Sequence, residues 1–186
     1  MGQAAARLCD GRGARRIAAE LDPPMSKADR PVRLRRACMD DAGAILAWQR
    51  IPGMRRHFRN PRPPSEAEHL RWMRNYLDDP AGNLTIIQHG TDDVGLLRLD
   101  GAADGNRMQV SILVAPETQG TGVGTAALGI AREIWPEVEL TAEVLPGNCA
   151  SRAMFQRAGY SWTGEAFRYP PLAGIARDAG RAGNPR

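Results

Sequence analysis

Three glycines, Gly120, Gly122 and Gly124, sit between a strand-like run ending at Val114 and a helix-like run that follows at once. Pro116 stops the strand, because it has no N–H to give to a ladder. Glycine lets a backbone turn tightly and come close to a ligand. The start of a helix adds unpaired N–H groups and the positive end of the helix dipole. Together these make an anion site suited to a pyrophosphate. A Walker A loop is excluded, since Thr125 stands where its lysine would be. A dinucleotide fingerprint fits poorly: the spacing is G-x-G-x-G, and it follows four strand-like runs instead of opening an early βαβ unit.

A second chemical stretch gathers Arg50, Arg55, Arg56, His57 and Arg59 in one short segment. The planar fork of arginine donates two bonds at once to a phosphate. Trp48 and Trp72 flank the segment; their rings suit stacking on a flat base or packing on a sugar, and equally suit a core. His69, on the helix that carries Trp72, reads either as a satisfied helix histidine or as a base. Cys9, Cys38 and Cys149 are far apart and odd in number. They form neither a metal-ligand spacing nor a disulfide framework, which predicts no metal and a reducing cytoplasm.

The 186 residues suit one domain with a sizeable core. No run approaches the roughly 18 apolar residues that span a membrane, and no apolar stretch of a secretion signal follows the N-terminus. The net charge of +4 favours anionic partners. The absence of a lysine-rich tail and of an aromatic-plus-basic strand argues against nucleic acid. The only lysine is Lys27; every other basic residue of this kind is arginine. Residues 1–30 read as an extension and linker, with a short helical pattern over 15–21. Residues 31–170 read as the domain, and residues 171–186 as a disordered tail without apolar period.

Inside the domain, 32–37 alternates like a half-exposed strand. A helix follows, with Asp40 or Asp41 as N-cap, until Pro52-Gly53 stops it. Ser65 and Glu68 form a capping box for the next helix. Three strand-like runs, 83–90, 93–101 and 107–116, predict an antiparallel meander. The glycine-turn helix, a strand over 137–145, a helix over 148–159 and one or two closing strands complete the order. The expected fold is α/β (α+β): a mixed, mostly antiparallel sheet of six to seven strands, helices on both faces, and a parallel crossover through the glycine-turn helix.

Gln119-x-x-Gly122-x-Gly124 after a strand resembles the Q/R-x-x-G-x-G/A motif of the GNAT N-acetyltransferases. Asn148, Ser151, Phe155, Gly159 and Tyr160 occupy the positions of that family's N-x-x-A/S-x-x-x-Y-x-x-x-G-F segment. The resemblance implies acetyl-CoA as cosubstrate, held where the fourth and fifth strands splay. Ile112, Leu113 and Val114 would pair with the pantetheine arm, and a backbone N–H near Leu113 would polarise the thioester carbonyl. Gln119, Gly120, Thr121, Gly122, Val123, Gly124 and Thr125 would take the pyrophosphate, with Asn148 and Phe155 on the far side of the arm. Two positions depart from the family pattern. Gln109 stands where many relatives carry a glutamate base, and Phe155 where many carry a tyrosine acid. Either water moves the protons, or His69, Ser111 or Tyr160 does, or the activity is weak; His69 and Ser111 are the catalytic candidates.

The first third is similar to a narrower group, the acetyltransferases of UDP-4-amino-4,6-dideoxy sugars in pseudaminic acid synthesis. Leu34, Arg35, Ala37, Trp48, Pro52, Arg55, Ser65, Glu68, His69 and Trp72 match its pattern, as do Val94, Gly95, Arg98 and Asp100 in V-G-x-x-R-x-D. Arg50 replaces the pattern's asparagine. This resemblance implies a UDP-amino sugar as acceptor, bound by Trp48, Arg50, Arg55, His69, Trp72 and Arg98, and is compatible with a homodimer. Residues 8–21 are similar to the end of that pathway's UDP-sugar hydrolase. The rival readings are transfer to another amine, such as a protein N-terminus, and an acyl-CoA-binding module without turnover.

Overall fold

Alternation of apolar and basic side chains makes Val32–Arg36 the edge strand β1, paired antiparallel with β2 (Asn83–His89). The computed structural model describes residues 12–79, 82–102 and 105–172. β3 (Asp92–Gly101) and β4 (Arg107–Val114) extend the antiparallel meander that the sequence predicts. β5 (Glu139–Ala142) then joins β4 in parallel, and β6 (Ser161–Trp162) and β7 (Phe167–Tyr169) close the sheet in the order β1-β2-β3-β4-β5-β7-β6.

Helices cover both faces. They are α1 (Gly13–Leu21), α2 (Ala42–Arg50), α3 (Glu66–Asp78), α4 (Val123–Ile134) and α5 (Cys149–Arg157). Because strand side chains alternate, each strand serves two cores. Leu97, Leu99, Val110 and Leu140 pack with the α4 residues Ala127, Leu128 and Ile130, and Ala19 of α1 joins them. On the other face Leu84, Ile86, Leu96 and Leu113 pack with Ile45 of α2 and Met73 of α3.

The helix starts follow the capping chemistry. The Glu68 N–H donates to Ser65 Oγ at 3.3 Å, and the Ser65 N–H donates to the Glu68 carboxylate at 2.7 Å. Asp41 accepts from the Cys38 N–H at 2.8 Å and from Arg35 at 2.6 Å. Its carboxylate thereby caps a single 3-10 turn, Met39–Asp41, and α2 starts after it.

The fifth strand is shorter than the apolar pattern over 137–145 predicts. Its pairing with β4 runs only from Arg107↔Glu139 to Gln109↔Thr141, and the two strands then diverge. The Ala115 N–H donates to Val94 O on β3 at 2.7 Å. Backbone groups alternate in direction along a strand. Those of Leu113 and Ser111 therefore also turn to β3, whereas those of Ile112 and Val114, past the last β4–β5 pair, turn into the gap. The backbone N–H groups that face the gap near Leu113 are thus those of its neighbours, Ile112 and Val114, and not its own.

The described part of the N-terminal extension is docked on the domain. Ala19 is buried in the core, and Arg12 and Arg15 pair with Glu137. The following turn is closed by a Met25–Pro31 bridge and by the Ser26 N–H, which donates to Arg30 O at 2.9 Å. Residues 1–11, including Cys9, and the predicted tail beyond residue 172 lie outside the described residues, as does part of the hydrolase-like segment.

Candidate active site

The gap between β4 and β5 opens into one continuous cleft of about 1160 Å³. One half has the features of an anion-and-thioester site. Gly120 and Gly122 have φ of 78° and 91°, left-handed values that an L side chain resists. Gly122 is the N-cap of α4, and among the described residues no side chain caps that helix start. The first N–H groups of α4 therefore have no intrahelical or side-chain acceptor. Gln119 Nε2 donates to Val114 O at 2.9 Å and ties the loop to the end of β4. Gly124 lies so close to α5 that a Cβ there would sit 2.5 Å from Met154 Sδ.

Ile112, Leu113, Val114, Gln119, Gly120, Gly122, Gly124, Thr125, Asn148 and Phe155 all line this cleft. Thr121 and Val123 do not. The Thr121 carbonyl is used by the Lys27 N–H, and the Val123 side chain is buried in the core. Asn148 Oδ1 accepts the Ser151 N–H at 3.2 Å as the cap of α5, which leaves its amide NH₂ for other partners. Phe155 stacks on Phe167 with ring centroids 5.6 Å apart and sets the floor. Tyr160 does not line the cleft; its ring is buried edge-on to Phe155, its hydroxyl has no partner among the described residues, and burial raises its pKa.

The other half is walled by α3, by the β3–β4 face that carries Arg98, Gln109 and Ser111, and by the turns over 51–64. Arg98 Nη2 lies 2.9 Å from Asp100 Oδ2 and 3.4 Å from Ser111 Oγ, with its guanidinium 6.0 Å from the Trp72 ring. Arg55 donates to Gln49 Oε1 at 2.5 Å and to Asn60 O at 2.7 Å, and lies 4.5 Å over Phe58. Burial, then the nearby Arg62, lowers its pKa. Arg56, His57 and Arg59 line the same wall. Glu68 is held at a pKa of about 2 by Arg62 and by the Ser65 N–H, so it stays an anion committed to its own neighbours.

Trp48 and Arg50 are not brought to the cleft. Trp48 packs against the second core and Arg50 is exposed. The reason is helical phase: Ile45 and Gln49, one turn apart, share the inward face of α2. Gln49 reaches the cleft instead and holds Arg55. His69 does line the cleft, but only 2 % of it is exposed, and its Nε2–H donates to the Ala42 carbonyl at 2.9 Å. Nδ1 is the nitrogen left to meet a substrate.

Glu143 was not singled out by the sequence reading. Leu140, Ala142 and Val144 belong to the core, and Glu143 turns the other way into the cleft, where it pairs with Arg59. The alternation in "ELTAEVL" was the signal.

Burial is the first cause that lowers the pKa of both His69 and His89 below the usual 6.5. Ser26 Oγ accepts the Ala28 and Arg30 N–H groups at 3.2 and 3.3 Å, so its own proton goes to His89 Nε2, 2.8 Å away. A depressed histidine contributes stability that is complete above the unfolded pKa and is lost as pH falls below it. Urea midpoints are expected to hold above pH ~6.5 and to decline below it. The His89→Gln variant should show a shallower decline; an identical slope would remove His89 from the acid response.

Among the described residues no group of three or more His, Cys, Asp or Glu is placed to hold a metal ion, and no helix is long and apolar enough to cross a membrane. No curated protein sequence matches the chain. Solved structures do match in fold. An aminoglycoside acetyltransferase AAC(6')-Ib bound to paromomycin and acetyl-CoA aligns with a TM-score of 0.67 at 16% identity, covering 81% of this chain and 99% of that one. Spermidine N-acetyltransferase from Vibrio cholerae, with CoA and spermine, gives 0.65 at 16% identity, covering 74% and 92%. The microcin C7 self-immunity acetyltransferase MccE, with acetyl-CoA and AMP, gives 0.67 at 11% identity, covering 75% and 92%. The family model for the acetyltransferase (GNAT) domain matches residues 32–161, the span of the meander, the uncapped glycine turn and α5, and the chain belongs to that family.

Proposed function

We propose that the protein transfers acetyl from acetyl-CoA to the amine of a nucleotide-linked 4-amino sugar, with both substrates bound together. The observation that carries the acceptor class is the charge of the acceptor wall. Arg55, Arg56, Arg59 and Arg98 line it against two carboxylates, Glu68 and Glu143; Arg62 pairs with Glu68, Arg59 with Glu143 and Arg98 with Asp100, so the wall keeps a net positive charge through Arg55 and Arg56. A polycationic acceptor, such as an aminoglycoside or a polyamine, meets repulsion there. An acceptor with a diphosphate meets forks that match it. Trp72, under Arg98, gives a flat ring for a base or sugar. The MccE fold holds AMP together with acetyl-CoA, so a nucleotide is compatible with this architecture.

The cosubstrate half fits acetyl-CoA. The uncapped start of α4 and the positive-φ glycines suit a diphosphate. The free edge of β4 suits an amide-bearing arm, and its N–H groups at Ile112 or Val114 suit the oxyanion that forms on the thioester carbonyl. Holding both reactants in one cleft supplies several kcal/mol of the barrier through orientation. The amine attacks the carbonyl carbon, the C–S bond breaks, and the leaving thiolate takes up a proton from solvent, to which the base gives back the proton it receives from the amine.

The amine proton goes to Glu143. This carboxylate lines the cleft just past the end of the β4–β5 pairing, as does Ser111. Its partner Arg59 is itself exposed and suited to an acceptor phosphate, so acceptor binding draws Arg59 away and frees the base. His69 is a positioning residue that ties α3 to the first residue of α2 and fixes the wall that carries Trp72.

The test is thiol release from acetyl-CoA with and without a UDP-4-amino-4,6-dideoxy sugar, beside spermidine and kanamycin. Release with the sugar alone is the expected result. Release with the polyamines alone would overturn the acceptor assignment. Binding of acetyl-CoA without release for any acceptor would make the chain an acyl-CoA-binding module.

A further inference from the structure

Lys27 stands outside the residues that the family model matches. It nevertheless lies on the glycine loop. Its N–H donates to Thr121 O at 2.8 Å, and its Nζ donates to Gly120 O at 3.2 Å. The stem runs beside the N-cap of α4: a Cβ on Gly122 would sit 3.5 Å from Lys27 Cγ. Lys27 also lines the cleft.

The turn that presents it is fixed on the sheet. Ser26 is buried and bonded to His89 of β2, the Met25–Pro31 bridge closes the turn, and Arg30 pairs with Asp92 at 2.6 Å. The backbone on both sides of Lys27 is therefore placed before any ligand arrives. An ammonium has three donors, and the Gly120 carbonyl takes one. An ammonium beside positive-φ glycines and an uncapped helix start adds a full charge to a cradle of partial ones.

We propose that Lys27 is a diphosphate ligand of coenzyme A, delivered to the glycine loop by the N-terminal turn. This rests on the acetyl-CoA reading of the cleft. It also gives residues 23–31 a role in the site: they act as a strap that carries one cation to the loop. The chain is otherwise free of lysine. A lysine suits this place, since its compact charge on a flexible stem can hold the Gly120 carbonyl and a phosphate oxygen together.

The experiment measures binding by calorimetry on the full chain. The ligands are CoA, 3′-dephospho-CoA and S-acetyl-pantetheine, at low and moderate salt, with the wild type, Lys27→Gln and Lys27→Arg. Glutamine can still donate to Gly120 O but carries no charge. The expected result for Lys27→Gln is about a tenfold or greater loss of affinity for both CoA forms. Its salt dependence should weaken, while S-acetyl-pantetheine affinity and Tm stay unchanged, and Lys27→Arg should recover most of the loss. Wild-type affinity for CoA in Lys27→Gln would overturn the proposal. So would an equal loss for S-acetyl-pantetheine, which would mark damage to the loop. A loss for CoA but not for 3′-dephospho-CoA would move the ion pair to the 3′-phosphate and refute the diphosphate assignment. A wild type that binds none of the three ligands would instead refute the acetyl-CoA reading itself.

Discussion

Glu143→Gln is expected to lower kcat by about 10²-fold or more at neutral pH, the usual worth of a positioned proton acceptor. The two side chains are nearly isosteric, and Glu143 lies outside both cores, so Tm and acetyl-CoA affinity should stay near wild type. Transfer from the amine fails because an amide cannot hold the proton that the attacking nitrogen must lose. The loss should appear equally in kcat and kcat/KM, the pattern of an interaction made only in the transition state. Arg59→Ala separates the two partners of the pair. It should raise KM for an anionic acceptor several-fold and leave kcat largely intact, because Glu143 is then free but the phosphate contact is gone. If Glu143→Gln moves KM alone, the carboxylate is only the counter-ion of Arg59, and the base must be sought at His69 Nδ1 or in water.

Much of this site was legible in the chain, and for identifiable reasons. The glycine turn announces itself because local backbone chemistry requires glycine there: positive φ at Gly120 and Gly122, and close helix contact at Gly124. The Ser65–Glu68 box and the meander are also local, so spacing alone predicts them. What escaped was set by tertiary contact. Trp48 and Arg50 carry the chemistry that a sugar nucleotide needs, but the phase of α2 is fixed by its apolar residues and delivers Gln49 instead. The apolar pattern over 137–145 reads as one long strand, and only the divergence of β4 and β5 shows that its last residues line the cleft. Lys27 sits in a Pro-rich segment that reads as a linker. Its docking depends on Ser26 meeting His89, 63 positions away in sequence. The departure at Gln109 was visible, but its consequence was not, because the carboxylate proposed in its place stands on the segment after β5.

Gly95→Val is expected to destabilise the fold by about 3 kcal/mol, the upper part of the usual range for overpacking, and to lower Tm by about 10 °C. Gly95 pairs with Val114, and a Cβ there would lie 2.2 Å from the Leu113 carbonyl oxygen and 3.1 Å from Val114 Cα. These are backbone atoms. No rotamer change can relieve them, so β4 itself must shift away from β3. That shift moves the Ile112 and Val114 N–H groups, the donors assigned to the thioester carbonyl, and activity should fall further than the lost stability accounts for. Gly129→Ala is the control. It lies within α4, with nothing within 4 Å of an added Cβ, and should be neutral or stabilising by up to about 1 kcal/mol through helix propensity. Thermal melts and acetyl-CoA turnover on the two variants decide the matter. If Gly95→Val melts with the wild type, β4 yields to β3 at no measurable cost. The strand would then be too compliant to hold an oxyanion donor in place.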